Sequence, residues 1–253
     1  MKKEYDLIVS LGGNCYVAKQ LQHRGMRPFS LALDWTLMTD SSCITKLANL
    51  FRTHFCDFCL YENISEQGKP DLEGSHWTYK FLDNKTGFAF GHHFHSPLSD
   101  RVGFDRDRSV IQRRIDRIYE KVSAVKNVLF ILETAFPYDA QLLKGLYDAL
   151  RDVFPGVAID LYAIQFRAQE EIDMKLTDNI ELSTYQRKVD MVDDVYGTSY
   201  EWHFLDGIRL AGVMKPTEKR RKSRIVKWKY SLWKALGKSL HKEGAGCVML
   251  TLP

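Results

Sequence analysis

Nowhere does this chain of 253 residues hold the ~18 consecutive apolar residues that a membrane-spanning helix needs. Its charged start, MKKEYDLIVSLGG, breaks its apolar stretch at Asp6 and the glycines, too soon for the core of a secretion signal. The expected location is therefore cytoplasmic. Cysteine is scarce and odd in number: Cys15, Cys43, Cys56, Cys59 and Cys247 follow no repeating spacing, which argues against a disulfide framework and for reduced thiols. No zinc pattern is present either. Cys56-x-x-Cys59, near His54, has no second pair and sits among Phe55, Phe58 and Leu60, which reads as packed interior; His93 and His95 with a carboxylate such as Asp100 lack further ligands at a recognised spacing. No metal and no required cofactor is expected. Internal repeats are absent, and the net charge of +4 is modest.

That charge is local. From Lys215 to Lys242 the sequence KPTEKRRKSRIVKWKYSLWKALGKSLHK is strongly basic, so the rest of the chain is close to neutral. Within it Ile225, Trp228, Leu232, Leu236 and Leu240 share one helical face. The pattern suits a membrane-surface helix over 218–241, lying on the inner face of a membrane, or a helix that packs its apolar stripe on the domain. No nucleic-acid motif accompanies the charge, so no nucleic-acid partner is expected. The chain divides into a domain over 1–214 and a basic helical tail with a final short strand over 215–253.

What is present is a large supply of core residues, with 12 Tyr and 14 Phe, in an alternating order of elements. Leu7 to Leu11 reads as a buried strand, Gly12-Gly13 as a turn, and Val17, Ala18 and Leu21 as a helix closed by Gly25. A second helix runs from about Asp40–Ser42 to Phe51. HWTYKF and TGFAFGHHFH flank the turn LDNKTG as a hairpin, and an amphipathic helix from Arg106 to Val125 leads into the strand NVLFIL. Helix PYDAQLLKGLYDALRDVF and strand VAIDLYAI follow. The order predicts an α/β fold with an open, mostly parallel sheet and helices on both faces, whose site lies beyond the carboxyl ends of the strands.

There the sequence places Cys15. A cysteine opening a helix faces unpaired N–H groups and the positive end of the helix dipole, which favour a thiolate nucleophile. Gly12 and Gly13 allow a tight turn whose N–H groups converge as an oxyanion hole, and Asn14 would cap the helix or donate a side-chain N–H to the same oxyanion. The base would come from His92, His93 or His95; on a regular strand His93 and His95 share a face and His92 points opposite. Asp34, in the apolar SLALDWT, would orient a histidine or hold Arg27. Glu133, ending NVLFILE, and His203, in EWHFLDG, are further candidates to line the cleft, His203 as a second base. A non-catalytic module, holding a sugar or phosphate on the same N–H groups, is the alternative.

The segments SLGGNCYVAKQLQHRGMRPFSLALDW, FGHHF and NVLFILE resemble a bacterial family of papain-like cysteine peptidases whose domain is of unknown function. The resemblance spans most of the first 210 residues. It implies Cys15 as nucleophile, His92 as its histidine, Asp34-Trp35 as its Asp-Trp pair, and a papain-like α+β fold as the alternative architecture. His93 stands where aspartate is usual, so the choice between His92 and His93 stays open. GNC also resembles the cysteine motif of capsular-polysaccharide acetyltransferases. Together these imply a cysteine-dependent hydrolase or acyltransferase working through a thioester in bacterial surface-polysaccharide metabolism, with a glycan or acyl substrate and an acyl donor such as CoA.

Overall fold

The computed structural model describes residues 3–73, 76–186 and 200–211; the basic tail, including Cys247 and the segment 218–241 where a helix is expected, lies outside them. Among the described residues no helix is long and apolar enough to cross a membrane. The chain begins with strands β1 (Lys3–Tyr5) and β2 (Leu7–Ser10), helix α1 (Tyr16–His23), strand β3 (Thr36–Met38) and helix α2 (Ser42–Arg52). Four strands follow, β4 (Ile64–Glu66), β5 (Asp71–Glu73), β6 (His76–Asp83) and β7 (Phe88–Phe94), then the long helix α3 (Arg101–Ser123). Strand β8 (Asn127–Thr134), helix α4 (Ala140–Val153), strands β9 (Ala158–Phe166), β10 (Ile172–Thr177), β11 (Ile180–Tyr185) and β12 (Ile208–Leu210) complete it.

The main sheet has the order β10-β11-β9-β8-β2, parallel throughout except for β10 at its edge. All four residues of β2 and seven of the eight in β8 are buried, as strands covered on both faces must be. Alternate residues face two cores. Leu7, Val9, Val128, Phe130 and Leu132 pack with α2, α3 and α4, whereas Ile8, Leu129, Ile131 and Ile164 pack with Tyr16, Val17 and Leu21 of α1. Helices thus cover both faces, and the fold is α/β as the alternation predicts.

One sheet, however, is not the whole of it. The stretch between α1 and α3 forms a second, antiparallel sheet of order β3-β7-β6-β4, with β5 on β6, and β1 pairs separately with β12. The hairpin β6–β7 is where the sequence places it, but β3, β4 and β5 are three-residue strands whose pairing partners are remote, too short to show a period of their own. The third helix starts at Arg101, five residues before the Arg106 expected from the sequence, because Asp100 caps it by accepting the Gly103 N–H at 3.0 Å. Asp100 therefore serves as a helix cap. Among the described residues no group of His, Cys, Asp and Glu could hold a metal.

The antiparallel sheet is fastened to α3 by aromatic packing. Phe104 is fully buried, stacks on Phe94 at 5.2 Å and 11°, and meets Tyr61 edge-on at 5.2 Å. Phe104→Ala should cost about 3–5 kcal/mol, the range for emptying such a site. Urea unfolding checks this, and a loss below about 1 kcal/mol would contradict the assigned role of the ring.

Candidate active site

Beyond Ser10 the chain turns sharply. Leu11 still donates to the Ile131 carbonyl at 2.8 Å, and the Ser10 hydroxyl accepts the Gly12 N–H at 3.3 Å. Gly12 and Gly13 both have positive φ, +80° and +87°. Space also demands glycine. A Cβ on Gly12 would lie 2.4 Å from Thr36 Oγ1 and 2.9 Å from the Leu33 carbonyl, and one on Gly13 would lie 1.6 Å from the Glu133 carbonyl. The turn is wedged between the LDWT segment and the end of β8.

This wedge decides where the backbone N–H groups point. Those of Gly13 and Asn14 make no hydrogen bond to any described residue. The Cys15 N–H donates to Asn14 Oδ1 at 2.6 Å, so Asn14 supports the start of the helix with its carbonyl. Cys15 itself is buried, helical in backbone, at the N-cap of α1 and in no disulfide. α1 packs on one face of the main sheet and α4 on the other, so the Cys15 turn sits at the carboxyl ends of β2 and β8, where ligands bind in such sheets. Cys15 lies five residues beyond the end of β2.

The histidine strand reaches the same place through a shared neighbour. β3 pairs antiparallel with β7, Thr36 opposite Phe90, and the segment Leu33–Thr36 is the one that touches Gly12. Strict alternation fails here. Tyr79 pairs with Phe94 and Phe81 with Phe90, so two residues of β6 span four of β7, and the strand bulges over Gly91–His93. His92 is half-buried with its ring edge-on to Trp35 at 5.7 Å. His95 is exposed; its N–H donates to Asp107 Oδ2 at 2.7 Å and its ring lies against the Trp77 carbonyl. His93 is 6% exposed, edge-on to Phe90, with no hydrogen bond from either ring nitrogen to a described residue. Burial first, then the Arg114 charge and the other two histidines, push it down to about 3, against the opposing pull of its polar contact with the Ala32 backbone. It is a neutral imidazole at physiological pH.

Asp34 does not orient a histidine. Its carboxylate binds Arg27 through Nε at 2.8 Å and Nη2 at 2.6 Å and accepts the Leu31 N–H at 2.7 Å. Burial pushes its carboxyl up, and Arg27, the Leu31 N–H and Arg114 pull it back. Arg27 also donates to Ser30 Oγ and lies 5.5 Å over the Trp35 ring, so Asp34 holds the floor on which Trp35 and His92 rest. Glu133 is buried at the end of β8, beside the cysteine turn and near Tyr138. His203 falls in the 3-10 turn Tyr200–Gly207, where its side chain lies outside the described residues. Cys59 of the CxxC stretch is interior, its thiol pushed far up by burial and its N–H bound to Asp83. One residue the sequence reading omits is Arg114. The signal was available, since it sits in the apolar stripe of α3 between Ile111 and Ile118, where a charge is costly.

Residues 6–155 match the family described as "Putative papain-like cysteine peptidase (DUF1796)". The chain belongs to this family. The match covers both site-forming regions, from the Cys15 turn through the β7 histidines to Glu133, and supports a cysteine-dependent hydrolase. An uncharacterized protein of Acanthamoeba polyphaga mimivirus is 30% identical over 143 residues, 52% of this chain and 63% of that protein. The chain thus spans under two thirds of the length of that relative, which is viral. No solved structure matches.

The buried His93 of this family member makes stability depend on pH. The folded protein takes up its proton only near pH 3, whereas an unfolded chain does so near the ordinary value of about 6.5. Between these the unfolded state binds more protons, so stability is intact above ~6.5 and falls as pH drops. Urea midpoints at pH 7, 5.5 and 4 should show a loss on the order of a few kcal/mol that His93→Leu reduces; equal slopes in both proteins would refute the assignment.

Proposed function

We propose that the protein is a cysteine-dependent hydrolase in which Cys15 is the nucleophile and His92 the base. One observation carries the reading. Directly before a helix-opening cysteine, a turn that only glycines can occupy presents two N–H groups, of Gly13 and Asn14, with no acceptor among the described residues. Paired donors beside a nucleophile are what a tetrahedral oxyanion requires.

In this reading the Cys15 sulfur attacks a carbonyl carbon while His92 takes the thiol proton, and the carbonyl oxygen becomes an oxyanion held by the two N–H groups. Collapse expels the leaving group, which receives the proton from His92, and leaves a thioester. Water, deprotonated by His92, then releases the acid and restores the thiol. Between the histidines, His92 fits better, because a ring with the low proton affinity of His93 is a poor base at neutral pH. Asp34 acts at a distance by fixing Arg27 and Trp35. Hydrolysis, in keeping with the family, is preferred to acyl transfer onto a sugar.

The exposed Cys56 supplies the internal control. At mildly acidic pH iodoacetamide should label the buried Cys15 before Cys56, since only an activated thiol overcomes such a difference in access. With p-nitrophenyl acetate the protein should release a burst of about one p-nitrophenol per chain. Cys15→Ala should abolish the burst and His92→Ala should slow it about 10²–10⁴-fold. Preferential labelling of Cys56, with no burst, would end the hydrolase reading.

A further inference from the structure

The charges behind His92 and His93 do not balance. Asp34 is the carboxylate that acts on these arginines, and it is already taken by Arg27 and the Leu31 N–H. Two more guanidinium groups approach from α3. Arg117 donates to the Ser30 carbonyl at 2.9 Å and lies over the Phe29 ring, so it braces the same segment that Arg27 holds. Arg114, one turn earlier, is half-buried yet makes no hydrogen bond or ion pair with any described residue. It senses Asp34 as attraction and Arg27, Arg117 and Arg113 as repulsion, while burial works against its charge. A guanidinium drawn partly out of water among other cations, with its donors unused, is unfavourable unless something anionic meets it.

A second observation lies alongside. The ring nitrogens of His93, more than nine-tenths buried, meet full hydrogen-bond geometry with no described residue, the Ala32 backbone being the polar group that approaches them, and the Arg114 charge is the strongest one acting on that ring. Buried polar atoms without partners are uncommon in native proteins and call for an explanation. The neutral ring has its N–H drawn to the Ala32 backbone and keeps one further nitrogen without a partner in the enclosed space, and it adds no charge of its own beside the cation.

We propose that Arg114, backed by Arg27 and His93, is the substrate-binding cation of the site and takes an oxyanion substituent, a carboxylate or a phosphate, carried by the molecule whose acyl group Cys15 attacks. The proposal rests on the Cys15 reading and adds a substrate class to it: acyl compounds with an anionic group on the α3 side of the scissile bond. The planar fork of arginine suits this task, because it meets two oxygens at once and keeps its charge at every physiological pH. Asp34 keeps Arg27 from collapsing onto the same anion, which leaves Arg114 as the specific contact.

Two measurements separate this inference from the reading beneath it. Iodoacetate and iodoacetamide differ in the charge of one small group, so the ratio of their rates at Cys15 reports an anion site near the thiol whatever the absolute rates. The ratio should exceed that of cysteine in solution, fall tenfold or more in Arg114→Gln, and stay largely intact in Arg114→Lys. Calorimetric titration with inorganic phosphate and with succinate, on the full chain and on Cys15→Ser, should show saturable binding of at least one, weakened tenfold or more by Arg114→Gln; which of the two binds identifies the anion. If Cys15 reacts with neither reagent, the nucleophile reading fails and calorimetry alone decides the anion site. Absence of binding by both anions overturns the proposal. So does a rate ratio that Arg114→Gln leaves unmoved, because the cation would then be remote from the thiol. A melting curve of Arg114→Gln that matches the parent protein excludes misfolding as the cause of any loss.

Discussion

The contact between the Gly13 backbone and the Glu133 carbonyl is the constraint on which the rest of the site depends. It leaves no volume for even a methyl group, and on the opposite side Gly12 is pressed as tightly against Thr36 and Leu33. A single turn therefore joins the end of β2, the end of β8 and the edge of the antiparallel sheet. The direction of α1, the position of Cys15 at its N-terminus and the orientation of two backbone donors all follow from that join. Positive φ alone would have allowed glycine, asparagine or aspartate at such positions; close packing on both sides narrows the choice to glycine.

Electrostatics then separates two neighbouring histidines that the sequence leaves equivalent. The bulge in β7 turns one ring into the interior beside Phe90 and leaves the other half-buried against Trp35. Burial, together with the Arg114 charge, keeps the first neutral. Asp34 contributes indirectly. Its ion pair with Arg27 is enclosed, and such pairs add little net stability, but removing one partner leaves a buried charge that is costly. The value of this pair lies in position: Arg27 lies over Trp35, and Trp35 meets His92.

How far the sequence was legible depends on the range of the interactions concerned. The strand–turn–helix around Cys15 was readable because each signal is local: an apolar run, two glycines, a helical period and Gly25, which has φ +71° and whose N–H donates to Gln22 at 3.1 Å. The parallel sheet was readable because buried strands are continuous apolar runs between amphipathic helices. The second sheet was only half readable, since its short strands are defined by partners dozens of residues away. The bulge at Gly91–His93 was not readable at all, because it is a mismatch between β6 and β7 and belongs to neither strand alone. The role of Asp34 was open to both readings until Arg27, seven residues earlier, was seen to fold back on it.

The family match over residues 6–155 ends within the loop after α4, yet the main sheet needs β9 and β11 to bury the far sides of β8 and of α4. The matched part holds Cys15, the β7 histidines, Asp34, Arg114 and Glu133, so all the proposed chemistry lies inside it. The C-terminal part instead covers the α1 face: Leu205 is buried in the same cluster as Tyr16 and Val17, Phe204 stacks on Tyr162 at 4.0 Å, and Asp206 lies 3.6 Å from Arg24 at the end of α1. Pressing on the cysteine helix from behind, this segment holds the helix against the sheet and so bears on the thiol without touching it.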